Sequence, residues 1–156
     1  MDAKRINELF REKGRTLCSA ESFTGGNFAG EITKVPGASH FFKGAMVTYF
    51  TEAKVRLLGI PYELLDKFGV VSNETANQMA TRARQILKTD YAVSFTGNAG
   101  PDTMEGKPAG EVYIGIASYK KTQTYRLNLS GSREEVVRQA IDFALQMLEQ
   151  AILENN

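Results

Sequence analysis

The sequence contains few of the residues from which disulfide scaffolds and many metal centres are built. Its 156 residues include one cysteine, Cys18, one histidine, His40, and no tryptophan. One cysteine cannot form an intramolecular disulfide, and one cysteine with one histidine cannot supply a zinc centre of Cys and His ligands. We therefore predict that Cys18 is buried as a small hydrophobic residue. We expect His40 to pack beside its aromatic neighbours or to lie on a loop surface.

The sequence also lacks an excess of one charge sign and a long apolar run. It mixes 19 lysines and arginines with 18 aspartates and glutamates, which gives a net charge of +1. This balance excludes a broad basic surface, so we expect no nucleic-acid partner. Because no stretch is apolar and long enough to span a membrane, we expect a cytoplasmic protein with no membrane partner. With 42% hydrophobic residues, residues 1–156 are predicted to form one domain.

Hydrophobic periodicity predicts that strands and helices alternate along the chain. Helices are predicted at residues 3–13, 27–34, 52–58, 61–68 and 73–87, and a long last helix follows the capping box of Ser132 and Glu135. Strands are predicted at residues 15–20, 44–50, 91–95, 111–119 and 122–129, the last two as a hairpin. This order is typical of a single-domain α/β/α sandwich with a mixed, mostly parallel sheet.

The turn at residues 20–26, Ala-Glu-Ser-Phe-Thr-Gly-Gly, is the first candidate for a functional motif. It places Ser22 between a predicted buried strand and a predicted helix. Gly25 and Gly26 permit backbone conformations that other residues rarely adopt, and the free N–H groups at a helix start attract an anion. The turn therefore suits a nucleophile or a phosphate site. Ordinary turn and N-cap chemistry is the alternative interpretation.

Polar residues follow each of the first three predicted strands. Ser22 follows the first strand, Tyr49 and Lys54 lie at and just after the end of the second, and Thr96 follows the third. If these strands are neighbours, their carboxyl ends bring the four residues into one cleft, where open α/β sheets bind ligands. Residues 102–109, a polar stretch with glycine and proline, are predicted to form a flexible loop with solvated carboxylates.

Taken together, these motifs resemble those of a known family. The matching segments are residues 20–26, 36–39, 47–54, 58–61, 69–72, 96–101, 107–110 and 130–133. In this order and spacing they resemble the carboxyl-terminal domain of the competence/damage-inducible protein CinA, and nearly the whole chain is covered. Members of this family are similar to nicotinamide-nucleotide amidases of the PncC type. Such enzymes hydrolyse the carboxamide of nicotinamide mononucleotide to nicotinate mononucleotide and ammonia.

The resemblance implies a role for each matching residue. Ser22 would be the nucleophile, Lys54 its general base, and Tyr49 a helper in proton transfer or orientation. Six further positions would contact the substrate, either as backbone or hydroxyl donors, as the lining of the nucleotide site or as a phosphate ligand: Thr24, Gly25, Gly26, Thr96, Gly97 and Arg133. The resemblance implies no metal or cofactor, and it implies a homodimer or a higher homo-oligomer.

Other interpretations of these residues remain open. Without the resemblance, Lys54 reads as a solvated helix lysine and Tyr49 as a core aromatic residue. Arg133 in the first turn of a helix opposes the helix dipole, which a bound anion would explain. A catalytically silent nucleotide-binding module is therefore a second hypothesis. A Ser–Lys peptidase or lactamase is a third, which the absence of Ser-x-x-Lys spacing disfavours.

The chain departs from the family pattern at three places near the proposed site. Phe23 stands where the family commonly has Cys, and Phe50-Thr51 stand where it commonly has Ser-Asn. Asn98 occupies a position that is usually filled by a small aliphatic residue. None of these changes removes a proposed catalytic side chain. Phe23 and Asn98 are close enough to the proposed site to alter the fit of a substrate.

Overall fold

The structure, a computed structural model, describes residues 2–155. Its helices are α1 (Ala3–Lys13), α2 (Asn27–Thr33), α3 (Thr51–Leu58), α4 (Tyr62–Phe68), α5 (Asn73–Leu87) and α6 (Arg133–Glu154), with a short 3₁₀ helix at Ala38–His40. Its strands are β1 (Leu17–Glu21), β2 (Phe42–Val47), β3 (Tyr91–Gly97), β4 (Glu111–Ser118) and β5 (Thr122–Asn128). Among the helices of residues 2–155, none is long and apolar enough to cross a membrane.

The five strands form one mixed sheet in the order β2-β1-β3-β4-β5. β1 pairs parallel with both β2 and β3, whereas β4 is antiparallel to both of its neighbours. Four of the five strands therefore run in one direction, and the predicted mixed, mostly parallel sheet is confirmed. Glu21 at the end of β1 is level with Val47 of β2 and Phe95 of β3. The carboxyl ends of the three parallel strands consequently meet at one edge of the sheet.

Helices cover both faces of the sheet, which confirms the α/β/α sandwich. One face packs against α1, α2 and α6, in a cluster that includes Phe10, Phe28, Phe95 and Ile141. The other face packs against α5 and the segment of α3 and α4, in a second cluster that includes Leu58, Met79 and Ala92. Cys18 is fully buried in this second cluster, as predicted. All residues of β1 and β3 are buried, because both strands lie inside the sheet between the two helical layers.

The second strand ends earlier than the sequence predicts. β2 stops at Val47, because its partner β1 ends at Glu21 and has no further residues to pair with. The last hydrogen bond between the two segments runs from the Thr48 N–H to the Glu21 carbonyl, at 2.8 Å. Tyr49 and Phe50 therefore lie in a connection and not in a strand. α3 starts at Thr51, with Phe50 rather than Thr51 in the N-cap position. This early end to β2 brings α3 directly to the sheet edge.

The helix ends follow the predicted local chemistry. α1 ends at Gly14 and α3 at Gly59, both in the left-handed conformation that glycine adopts at low cost. The capping box at the start of α6 is present, with Ser132 accepting from the Glu135 N–H and the Glu135 side chain accepting from the Ser132 N–H. His40 is exposed, and its Nδ1 lies 3.0 Å from the Gly37 carbonyl oxygen, in agreement with a loop-surface role.

Candidate active site

A serine and a lysine are in direct contact at the edge where the parallel strands end. Ser22 directly follows β1, and Lys54 lies one turn into α3. The Lys54 Nζ is 3.0 Å from the Ser22 Oγ and donates a 2.8 Å hydrogen bond to the Thr48 carbonyl oxygen. Lys54 is 2% exposed and Ser22 is 7% exposed. Lys54 is thus not the solvated helix lysine of the alternative interpretation.

Burial changes the acid–base behaviour of this lysine. Loss of hydration disfavours the ammonium form and lowers the pKa of Lys54 from 10.5 to about 8, although the negative charge of Glu105 acts in the opposite direction. A neutral amine has one lone pair and two N–H groups. With one N–H bonded to the Thr48 carbonyl, the lone pair can accept the Ser22 hydroxyl proton. The pair has the composition and distance of a nucleophile with its general base.

A buried carboxylate holds the turn that carries Ser22. Glu21 is fully buried, and its two oxygens accept four hydrogen bonds of 2.8–3.0 Å. The four donors are the Ser19 and Thr24 hydroxyls and the Phe28 and Ala29 N–H groups. The carboxylate therefore joins β1, the Ser22 turn and the first turn of α2. The Thr24 hydroxyl points to Glu21, so only the backbone of Thr24 is left to contact a ligand.

The two glycines of the turn have positive φ values, 58° at Gly25 and 97° at Gly26, which a residue with a side chain rarely adopts. The Gly25 N–H donates to the Ser22 carbonyl at 3.0 Å and is therefore already used. Within residues 2–155, the N–H groups of Phe23, Thr24 and Gly26 have no hydrogen-bond acceptor. These N–H groups are the available donors for an oxyanion formed near Ser22.

Ser22 opens into a cavity of about 340 Å³, which is also lined by Phe23, Tyr49, Gly97, Asn98 and Arg133. A second cavity of about 660 Å³ shares Phe23, Tyr49 and Arg133 with the first and adds Gly25, Gly26 and Lys34. We call them the inner cavity and the outer cavity. Because three residues line both cavities, the two cavities are neighbours on the same side of the molecule.

Tyr49 and Arg133 form a pair at the boundary of the two cavities. The Arg133 guanidinium donates to the Tyr49 hydroxyl at 2.6 Å and to the Gly100 carbonyl at 2.8 Å. Tyr49 is 59% exposed and is therefore not a core aromatic residue. The two hydrogen bonds leave three of the five guanidinium N–H groups for other partners. Both acceptors are neutral groups, and Arg133 itself is the first residue of α6.

The structure places Gly97 and Thr96 differently with respect to the cavity. Gly97 lines the inner cavity. A Cβ at this position would lie 2.5 Å from the Val112 Cα, so the close approach of β3 and β4 requires glycine. Thr96 is 1% exposed, and its hydroxyl donates to the Val70 carbonyl at 2.6 Å. That hydrogen bond leaves the Thr96 hydroxyl proton unavailable to a ligand.

Sequence reasoning missed three groups that shape the site. The Thr48 carbonyl could not be predicted from the sequence, because every residue has a backbone carbonyl. Glu21 could have been predicted, because it is a carboxylate at the end of a buried strand, next to a candidate nucleophile. Glu105 is exposed, as expected of a solvated carboxylate, but it is also fixed by hydrogen bonds that the sequence did not predict. Its carboxylate accepts from the N–H groups of Val70 and Val71 at 2.9 and 3.0 Å, because the loop folds back onto the segment before α5. Within residues 2–155, no group of three or more His, Cys, Asp or Glu residues is placed to hold a metal ion.

Comparison with known proteins identifies relatives along nearly the whole chain. The family described as the CinA C-terminal domain matches residues 2–152. A "CinA-like protein" of Endomicrobium trichonymphae is 43% identical over 152 residues, which are 97% of this chain and 36% of the relative. A "putative competence-damage inducible protein" of Limosilactobacillus reuteri is 43% identical over 149 residues, which are 94% of this chain and 36% of the relative. The chain thus spans 36% of the length of these relatives.

Solved structures share the fold. A competence-damaged protein (CinA) superfamily protein from Klebsiella pneumoniae has a TM-score of 0.94 and 31% identity, covering 97% of this chain and 96% of that one. A competence/damage inducible protein from Agrobacterium tumefaciens has a TM-score of 0.91 and 35% identity, covering 96% of this chain and 92% of that one.

Proposed function

The chain belongs to the CinA C-terminal domain family, and on this basis we propose that it is a nicotinamide mononucleotide amidohydrolase that uses Ser22 as nucleophile and Lys54 as base. The observation that carries this proposal is the 3.0 Å contact between the Lys54 Nζ and the Ser22 Oγ, with the pKa of Lys54 lowered to about 8 by burial. A serine hydroxyl attacks an amide only when a nearby base accepts its proton. Burial makes the lysine such a base.

The proposed reaction has two steps. The Ser22 Oγ attacks the carboxamide carbon while Lys54 takes the hydroxyl proton, and the N–H groups of Phe23, Thr24 or Gly26 stabilise the resulting oxyanion. Donors of this kind contribute about 3–4 kcal/mol each in other enzymes. Lys54 then protonates the departing nitrogen, which leaves as ammonia, and an ester remains on Ser22. A water molecule gives its proton to Lys54 and hydrolyses the ester, releasing nicotinate mononucleotide and restoring the serine.

The two cavities suggest how the nucleotide binds. The nicotinamide ring would occupy the inner cavity, with its carboxamide at Ser22 and Gly97 among its contacts. The phosphate would extend into the outer cavity, where Gly25, Gly26 and the free guanidinium N–H groups of Arg133 are available. Arginine suits this role because its planar fork forms charge-assisted hydrogen bonds to phosphate oxygens. Tyr49 would orient Arg133 and the ribose, and Thr96 would support the site through its backbone.

The proposal extends to assembly. Apolar side chains beside the site are exposed, with Tyr49 at 59%, Phe50 at 69% and Leu57 at 50%. Large exposed apolar side chains of this kind favour association when they form a contiguous patch. A homodimer or higher homo-oligomer is the assembly that we expect. The catalytically silent nucleotide-binding module is the alternative, and the direct contact between Ser22 and Lys54 favours the enzyme, since a silent module has no need of a buried lysine at this distance.

The test is ammonia release from nicotinamide mononucleotide by the wild type, Ser22→Ala and Lys54→Ala. Each substitution should lower kcat by about 10³-fold or more, because it removes either the attacking atom or its base. The matched controls are Ser39→Ala and Lys43→Ala, two exposed residues near the opposite end of β1 and β2, which should leave kcat unchanged. Nucleotide binding without ammonia release by the wild type would overturn the amidase and favour the silent module.

A further inference from the structure

One buried side chain, Asn98, makes three hydrogen bonds to the loop at residues 102–107. Asn98 is 3% exposed. Its Nδ2 donates to the carbonyl oxygens of Met104 and Lys107 at 3.2 and 3.1 Å, and its Oδ1 accepts from the Met104 N–H at 3.0 Å. The Asn98 amide therefore holds the backbone of this loop through hydrogen bonds that a neighbouring strand would otherwise provide. We call residues 102–107 the wall loop.

The wall loop has a second attachment on its other side. Glu105 accepts from the N–H groups of Val70 and Val71, and the Lys107 ammonium donates to the Val71 carbonyl oxygen. The carboxylate occupies the space where a side chain at Gly69 would lie, since a Cβ there would be 2.6 Å from the Glu105 Oε1. The loop is thus held between Asn98 and the segment that precedes α5, and its position relative to Ser22 is defined.

The wall loop contributes three different side chains to the inner cavity, a carboxylate from Asp102, a hydroxyl from Thr103 and a thioether from Met104. The same cavity contains the guanidinium of Arg133. One cavity next to Ser22 therefore presents a negative and a positive side chain. A ligand that carries both a positive and a negative charge matches this arrangement better than a neutral ligand does.

Nicotinamide mononucleotide has this charge pattern. Its ring nitrogen carries the ribose and is positively charged, and its phosphate is negatively charged. In the reduced nucleotide the dihydropyridine ring is neutral, while the carboxamide, ribose and phosphate are unchanged. The two molecules therefore differ mainly in the charge that the Asp102 carboxylate would face.

We propose that the wall loop is the specificity element of the site, in which Asp102 selects a positively charged aromatic ring and Asn98 is the positioning residue that holds Asp102 in place. This inference rests on the proposed function for its substrate. Its physical basis is independent of bond cleavage, because it concerns recognition of the ring before any reaction. Asp102 is exposed, so water screens part of its attraction for a cationic ring, and we expect a preference of modest size.

The test measures binding and not turnover. In the Ser22→Ala background, calorimetry with the oxidised and the reduced nucleotide gives the ratio of their Kd values. We expect the oxidised form to bind about fivefold more tightly, the upper range for a pair that includes an exposed charge. Adding Asp102→Asn should reduce the ratio to about twofold or less, whereas Asp66→Asn, an exposed aspartate on α4, should leave it unchanged. A ratio that survives Asp102→Asn would overturn the proposal.

Asn98→Ala tests the positioning role. Hydrogen exchange at the Met104 amide should accelerate by about tenfold or more, because the Asn98 Oδ1 is its acceptor, and the Kd ratio should fall together with it. Thr89→Val is the control for a general loss of stability, since Thr89 is equally buried but bonds to Tyr91 at the opposite end of the sheet. If the Met104 amide exchanges at the wild-type rate, or the Kd ratio persists, Asn98 does not position this loop.

The two proposals fail in different ways. If the wild type releases no ammonia but the Ser22→Ala protein still discriminates between the two nucleotides, the amidase is wrong and the specificity element stands. If ammonia is released and both nucleotides bind equally well, the amidase stands and the specificity element is wrong.

Discussion

The candidate site consists of two pairs of residues with opposite surroundings. The inner pair, Ser22 and Lys54, is at most 7% exposed and is held by Glu21 and by the Thr48 carbonyl. The rim pair, Tyr49 and Arg133, lies in contact with solvent, with Tyr49 at 59% exposure. Burial alters a pKa and fixes a distance, whereas exposure permits water to compete for each hydrogen bond. The inner pair is therefore suited to bond chemistry and the rim pair to recognition.

The strongest test of this division after the pair itself is Glu21→Gln. The glutamine NH₂ would face a donor that now bonds to carboxylate oxygen, leaving a buried N–H of α2 without an acceptor. We expect kcat to fall about hundredfold with KM nearly unchanged, and the free energy of unfolding to fall by about 1–3 kcal/mol. Steady-state kinetics and urea denaturation measure the two effects, and Glu12→Gln, an exposed residue of α1, is the control. A raised KM with normal kcat would place Glu21 in recognition instead.

Arg133→Ala should have a smaller and different effect. It removes the rim guanidinium, so we expect KM to rise about thirtyfold while kcat stays within about threefold of the wild type. Arg133→Lys should restore only part of the affinity, because an ammonium cannot form the same planar fork. Arg56→Ala, an exposed arginine on α3, is the matched control. A fall in kcat as large as that of Glu21→Gln would end the distinction between the two pairs.

The smallest expected effect is a shift in the pH profile. Lys54 must be neutral to act as base, so kcat/KM should rise with pH and level off above about 8, where the buried ammonium loses its proton. The charge of Glu105 raises the pKa of Lys54. Glu105→Gln should therefore move the midpoint to lower pH, and Glu63→Gln, on the surface of α4, should not. A midpoint that does not move would show that Glu105 acts on the loop alone.

The same pKa has a consequence for stability. Between about 8 and 10.5, the unfolded chain keeps a proton on Lys54 that the folded chain has released. The free energy of unfolding should therefore rise with pH across this window, to the extent that Lys54 contributes.

Much about the inner pair could be predicted from the sequence, because it depends on local sequence patterns. A buried strand followed by Ser22 and two glycines predicts a candidate nucleophile on a strand-to-helix turn. Thr51 to Gly59 reads as a helix with its own stop. The burial of Lys54 could not be predicted in this way. It depends on the early end of β2 and on the sheet order β2-β1-β3, neither of which changes the local hydrophobic pattern.

The wall loop shows the opposite case. It lies within residues 102–109, where Gly106 and Pro108 predict an irregular segment, and the segment is irregular. Its attachment, however, depends on residues distant in the chain. Glu105 bonds to N–H groups 35 and 34 residues away. Asn98 stands before the loop as a single polar residue, with no periodicity to mark it as buried. Long-range hydrogen bonds between side chains and backbone leave no pattern in sequence spacing, so this wall of the cavity could not be predicted.

The two pairs also differ in the length of the chain loop between their two residues. Ser22 and Lys54 are 32 residues apart, whereas Tyr49 and Arg133 are 84 apart. By the logarithmic dependence of loop closure on length, the longer loop costs about 0.9 kcal/mol more in chain entropy. The inner contact lies within residues 22–54, whereas the rim contact joins α6 to a segment 84 residues away. We therefore expect the rim contact to open more readily than the inner one, so that substrate enters between Tyr49 and Arg133 while Ser22 and Lys54 stay in contact.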